Sequence, residues 1–291
     1  MIPNYTPSRV GLIVLTMTAG TAFIMWIGEL ISQRGVGNGM SLIIFASIVS
    51  QLPSQFGSSY QVTAGQGRLG QFVFLMVMFI LMIVGIIYVE QGQRRIPIQF
   101  AKRVRGRKVM GGQSTYIPLK VNSAGVIPVI FATSILFFPA LVATSLPQDN
   151  NVTAAIRNWI DINLANSQGT TWFYVFFLGI LIIFFTYFYT TIQFDPVRQS
   201  DMIRRQGGFI PGVRPGISTT NYLSHIINRI TLPGSVFLAS VAVLPSIASV
   251  IWDIPLGFSG ISILITVGVA LETMKQIESQ LSMRNYEGFI D

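Results

Sequence analysis

Long apolar runs separated by shorter polar stretches dominate this chain, falling at about 8–30, 38–54, 70–90, 122–145, 172–193, 232–252 and 258–281. Most approach the roughly 20 residues that a helix needs to cross a bilayer, so the pattern predicts seven transmembrane helices. The second run is short, and Gly35-Val36-Gly37-Asn38-Gly39 predicts a tight turn before it. Pro128 and Pro139 in the fourth run, and Pro233 and Pro245 in the sixth, predict kinks. Kinks are tolerated where helices pack on one another or line a wet cavity. Trp26, Tyr88, Trp172, Tyr189 and Trp252 stand at the ends of runs, the place of interfacial anchors. Between the fourth and fifth runs, the polar stretch 146–171 is amphipathic around Ile156, Trp159 and Ile160, which predicts one helical turn.

Composition narrows the class without changing the pattern. Apolar residues make up 51% of the chain and charged residues 10%, which excludes an ordinary soluble domain. With no cysteine and one histidine, a thiolate zinc site, a haem–cysteine site and a disulfide scaffold are excluded by inventory. The residues from Met1 to Pro7 lack a basic segment and a small-residue cleavage site, so no signal peptide is expected there.

Charge sets the orientation. The stretch 92–120 carries Arg94, Arg95, Lys102, Arg103, Arg105, Arg107, Lys108 and Lys120 and no acid. A second basic loop spans 194–231. Placing the loops 91–121 and 194–231 in the cytoplasm leaves only Arg9, Arg68 and Arg157 outside among the basic residues. The positive-inside rule then puts the N-terminus outside and the C-terminus in the cytoplasm. An all-α, single membrane domain over 1–291 is expected, with two basic loops on its cytoplasmic side.

Three groups of residues carry candidate chemistry. In Pro211-Gly212-Val213-Arg214-Pro215-Gly216, proline fixes φ and glycine permits reversal, so the segment predicts a stiff tip that presents Arg214. Guanidinium suits bidentate contact with phosphate or carboxylate. Anionic lipid headgroups, ribosomal RNA and an acidic protein face all fit such loops, and charge alone does not separate them. Met40 and Ile44, and Ile130 and Ser134, are four apart and share a helix face; Ile265 lies early in the last run. Such apolar positions either pack and face lipid or form a hydrophobic constriction. Glu272, Lys275 and Glu278 lie near the cytoplasmic end of the last run, where they reach the interface. Nothing points to catalysis, a cofactor, a metal or a small-molecule substrate.

Local strings go further than the pattern. Gly28-Glu29 with Arg34-Gly35-Val36-Gly37-Asn38-Gly39-Met40-Ser41, and Val89-Glu90-Gln91-Gly92-Gln93-Arg94-Arg95-Ile96, resemble the bacterial SecY family. So do Pro118-Leu119-Lys120-Val121-Asn122, Ala124-Gly125-Val126-Ile127-Pro128, Pro211-Gly212-Val213-Arg214-Pro215-Gly216 and Met283-Arg284-Asn285-Tyr286-Glu287-Gly288. The resemblance implies helices four to ten of the channel subunit of the Sec translocon, with helices one to three and the plug outside this sequence. It implies a protein-conducting channel in the bacterial cell membrane, with SecE and SecG subunits, the SecA motor ATPase, the ribosome, signal-sequence-bearing polypeptides and membrane lipids as partners. It further implies a pore ring at Met40, Ile44, Ile130 and Ile265, a lateral gate at Ser134 and Phe138, and docking through Arg214 and the loop of Arg94 and Arg95. A secondary transporter with inverted repeats, or a scaffold, is the alternative from the residues alone.

Overall fold

The computed structural model describes residues 6–65, 67–100, 103–105, 108–110, 114–145, 151–164, 171–252 and 258–287. Its elements are α1 (Pro7–Arg34), α2 (Gly39–Gly65), α3 (Leu69–Gln91), β1 (Gln93–Phe100), β2 (Arg103–Arg105), β3 (Lys108–Met110), β4 (Ser114–Lys120), α4 (Ile127–Ser145), α5 (Asn151–Asn163), α6 (Trp172–Gln193), α7 (Pro196–Arg205), β5 (Gly208–Phe209), α8 (Ile217–Trp252) and α9 (Gly260–Glu287). All seven apolar runs are helical. Six of these helices are long and apolar enough to cross a membrane, while the apolar part of α4, Ile127–Ala143, is shorter. The count of seven spans is therefore an expectation that six helices meet by length. The fourth run opens as a non-helical turn, with Gly125 at φ 64°, before the helix starts at Ile127.

Two other boundaries differ from the pattern. The second run does not stop at 54. It continues through Pro53 to Gly65, because Ser54, Ser58 and Thr63 donate their hydroxyls to carbonyls one turn back and so satisfy themselves on a helix. The sixth run does not start at 232 but at Ile217, fifteen residues earlier. Its first turns carry Leu223, Ile226, Ile227 and Ile230 at helical spacing beneath a polar exterior.

The chain divides into two compact units. The first joins residues 1–54 to residues 265–291. Within it, α1 and α2 cross closely at two glycines: a Cβ on Gly39 would run into the Gly28 carbonyl oxygen, and one on Gly28 would lie 2.5 Å from Met40 Sδ. The turn between them is closed by side chains. Ser32 Oγ donates to Gly28 O at 3.0 Å and accepts from Gly39 N, while Asn38 Oδ1 caps α2 by accepting from Met40 N at 3.1 Å. Gly37, at φ 89°, makes the reversal and sits against Thr273 and Gln276 of α9.

The second unit holds residues 55–264. Its centre is α8, whose Gly234, Ser235, Ala239, Ala242, Ala248 and Ser249 are buried. Small residues let helix backbones approach closely, as they do in membranes, where no hydrophobic effect drives helices together. α6 packs along α8, and α4 packs on α6. Phe56, Phe79 and Phe258 form an edge-packed aromatic cluster with centroids 5.1–5.6 Å apart. The end of α3 is tied to the approach to α4: Val121 N donates to Gly92 O at 3.0 Å, and the buried Asn122 donates from Nδ2 to Glu90 Oε2 at 3.0 Å.

Candidate functional site

The two basic loops fold into one body. In the first, Ile96 and Ile98 alternate with exposed Arg95, Pro97 and Gln99, the period-two pattern of a strand with one face buried. β1 pairs antiparallel with β4, in the register Arg94↔Leu119, Ile96↔Ile117 and Ile98↔Thr115. β5, from the second loop, adds to the other side of β1 at Gln99 and Phe100. At Pro97 β1 has a partner on one side only, the edge setting in which proline is tolerated. Beneath the sheet, Ile96, Ile98 and Leu119 are buried together with Ile203 of α7, Ile210, and Leu223 and Ile226 of α8. Each such side chain contributes about 1.5–3 kcal/mol on burial, far more than the net worth of a loop hydrogen bond. This shared core makes the loops a module, and it requires both to lie on the same side of the second unit. The stretches read as basic loops hold the strands β1 to β5, the helix α7 and the first turns of α8.

The outer face of the sheet is basic and aromatic. Arg95 lies 4.9 Å from the centroid of the Tyr116 ring, which fixes its guanidinium by a cation–π contact. Lys120 is exposed on this face opposite Gln93, whereas Arg94, in phase with Ile96, is exposed at the end of the strand on the other face, opposite Leu119. Arg103, Arg105 and Lys108 are on the β2–β3 hairpin, with Arg105 paired to Lys108 in its register. Lys102 and Arg107 lie outside the described residues.

The tip that carries Arg214 is held from both sides. Gly212 and Gly216 have φ of 80° and 109°, values that favour glycine. Val213 N donates to Ile210 O, Thr219 Oγ1 to Arg214 O at 3.0 Å, and Ser200 Oγ to Gly216 O at 3.1 Å. Val213 also packs on the module core, so the exposed Arg214 side chain projects from an anchored backbone. α7 is braced in turn by Asp195, whose Oδ1 accepts from Val197 N and Arg198 N, with Pro196 at the first helical position. Arg204 and Arg205 end α7, where cations complement the helix dipole, and both are exposed. Pattern reading singled out neither arginine. The Asp195-Pro196 start signal and the Ile96–Ile98–Phe100 alternation were the available clues.

The apolar candidates divide between the units. Met40 and Ile44 on α2 and Ile265 on α9 belong to the first, and Ile130 on α4 to the second. Met40 and Ile44 are 40% and 46% exposed within the chain, although Met40 Sδ lies against Gly28 of α1. On α4, Val129, Ala132, Leu136, Ala140 and Ala143 are buried at spacings of three and four. Ile130, Ser134 and Phe138, four apart, all fall on the exposed face. Ser134 Oγ donates to Ile130 O at 2.7 Å, which removes a polar hydrogen from that face. α4 therefore offers a free, nearly apolar stripe, the arrangement that a groove for an apolar segment needs.

Long apolar helices joined to a folded basic module define a multi-pass membrane protein. The family model described as SecY matches residues 3–274, and the chain belongs to the SecY family. A protein translocase subunit SecY from Streptomyces scabiei is 50% identical over 283 residues, covering 95% of this chain and 62% of the relative. Those from Streptomyces coelicolor and Mycobacterium bovis are 47% and 46% identical, covering 100% and 96% of this chain and 65% and 63% of theirs. The chain thus spans somewhat less than two thirds of the length of these relatives. A solved structure described as a protein conducting channel superposes with a TM-score of 0.61 at 18% identity, covering 96% of this chain and 67% of that one. A second, concerned with the SecY plug domain and the closed translocation channel, gives 0.61 at 19% over 95% and 67%. These likenesses establish the fold.

Proposed function

We propose that the chain works as a protein-conducting channel subunit of the Sec type, passing unfolded secretory polypeptides across the bacterial plasma membrane and releasing apolar segments sideways into lipid. The reading draws on relatives named as translocase subunits that are up to 50% identical to this chain. The observation that carries it is the anchored Arg214 tip on a folded basic module attached directly to α4, the helix with the unburied Ile130–Ser134–Phe138 stripe. A channel that only admits small solutes has no use for such a body; one that receives a chain from a motor or a ribosome does. In this reading Met40, Ile44, Ile130 and Ile265 form the apolar gasket, and Ser134 and Phe138 line the lateral exit. The basic module faces the cytoplasm and receives SecA or the ribosome, while SecE and SecG complete the complex. Driving energy comes from the bound partner, and the chain itself is no enzyme.

The test is reversal of one charge. Arg214→Glu turns an attraction into a repulsion at a desolvated contact, a change worth about 2–5 kcal/mol, or at least roughly thirtyfold in affinity. Motor-dependent secretion of a signal-sequence-bearing protein should collapse while the variant still inserts into the membrane. Secretion at the unaltered rate would remove Arg214 from the docking site.

A further inference from the structure

The segment after α4 is more than the single amphipathic turn read from the sequence; it is the thirteen-residue helix α5. At about 100° per residue its side chains sort into three sectors. Ile156, Trp159 and Ile162 fall within roughly 120° of one another, and they are 48%, 51% and 62% exposed. Asn158 is exposed on the polar flank, and Asp161, also exposed, lies between Arg157 and Ala154 on the third side. Thr153, Ala154, Arg157 and Ile160 are half-buried on the remaining side, and α5 packs on α4.

Two contacts set the level of α5. Thr171, the residue before α6, donates its hydroxyl to Ile162 O at 2.8 Å and pins the end of α5 to the start of a membrane-length helix. Trp159 meets Phe173 edge-on at 5.5 Å, and Phe173 stacks with Phe177 at 5.9 Å. The exposed apolar face of α5 thus runs without a break into the exposed aromatic surface of Trp172, Phe173, Phe176 and Phe177 on α6. α6 is long and apolar enough to cross a bilayer, so a helix fastened to its first turn, with a continuous apolar face, lies at the depth where acyl chains give way to headgroups.

We propose that α5 is an interfacial helix whose Ile156–Trp159–Ile162 face docks into the lipid bilayer, in the leaflet opposite the basic module. The occupant is the glycerol and upper acyl region of the lipid, not a charged headgroup. Arg157 Nε stands 3.6 Å from Asp161 Oδ2, so the two charges cancel locally and leave apolar insertion as the attachment. Tryptophan is suited to that depth, with an apolar body and one polar edge. The inference needs only that α6 is embedded, and it stands whether or not the chain conducts polypeptides. By holding α5 in the interface, the lipid would also steady the end of α4 on which α5 packs.

The chain has no cysteine, so Ile156→Cys, Ile162→Cys and Asn158→Cys each accept a nitroxide at one site. The full chain, assembled with its partner subunits, would be placed in vesicles of phosphatidylethanolamine and phosphatidylglycerol and, separately, of phosphatidylcholine alone. Collision with dissolved oxygen and with a water-soluble nickel chelate then reads the depth of each label. Labels at 156 and 162 should be oxygen-rich and nickel-shielded, the label at 158 should show the reverse, and the two lipid compositions should agree. Nickel access at all three sites would put the face in water and overturn the proposal. Shielding from both reagents at 156 and 162 would mean that protein covers the face, which overturns it equally. A profile seen only with the anionic lipid would assign the attachment to headgroup charge and reject apolar insertion.

Discussion

Leu223→Ala tests whether the two basic loops are one body. Leu223 is 0% exposed and sits in the cluster of Ile96, Ile98, Leu119, Ile203, Ile210 and Ile226, which belong to both loops. Removing a fully buried leucine side chain costs about 2–5 kcal/mol, through lost transfer energy and the cavity left behind. At about 1.4 kcal/mol per tenfold, a loss near 3 kcal/mol raises the population of the opened module on the order of a hundredfold. The apolar packing of the membrane helices is not touched by this change, so the loss stays local. Amide hydrogen exchange on the membrane-embedded protein, read peptide by peptide, should therefore quicken in β1, in β4 and around 210–219, as well as in the mutated turn of α8. Asn221→Ala, at an exposed position two residues away on the opposite face of the helix, should leave all of these rates unchanged. Faster exchange confined to the start of α8, with β1 and β4 protected as before, would refute a shared core and leave Arg214 on an independent loop.

Two further substitutions probe the spans. Gly39→Ala should force α1 and α2 apart, because its Cβ meets the Gly28 carbonyl oxygen, a backbone atom that cannot swing aside. A loss of about 1–3 kcal/mol is expected, read as a lower melting point of the detergent-solubilised protein. Gly57→Ala, with open space around its Cβ, should be neutral or mildly stabilising on the same helix. Ile130→Asn or Ile265→Asn should raise the ion leak of the resting channel severalfold in planar bilayers; conductance equal to that of the unsubstituted protein would count against an apolar ring through these positions.

How far the chain could be read in advance depended on the range of the signal. Runs of about twenty apolar residues are local and redundant, so each predicted run holds a helix, although α2 and α8 extend well beyond their runs and α4 begins inside its own. The basic loops hid their structure for two reasons. The alternation of Ile96 and Ile98 is brief, interrupted by Pro97 and framed by arginines, so charge masked the strand. Leu223, Ile226, Ile227 and Ile230 mark a helix face, but their partners lie about a hundred residues earlier in the chain, and nothing local says the two loops meet. The rigidity of the Arg214 tip was legible, since Gly212 and Gly216 announce their positive φ through residue type alone. Its anchoring by Ser200 and Thr219 was not, because serine and threonine bond in too many ways to be assigned by position. The ring and gate positions came from resemblance; apolar periodicity could not distinguish them from lipid-facing residues, and exposure on α4 is shared by both readings.

The most direct test is a photo-crosslinking residue at Ile130, examined in the assembled complex while a secretory polypeptide is stalled in transit. A channel through this stripe of α4 predicts a crosslink to the polypeptide that depends on its signal sequence and disappears when the chain is released. No crosslink in a complex shown to bind its motor and hold the stalled chain would contradict a protein-conducting path past Ile130, and with it the channel reading.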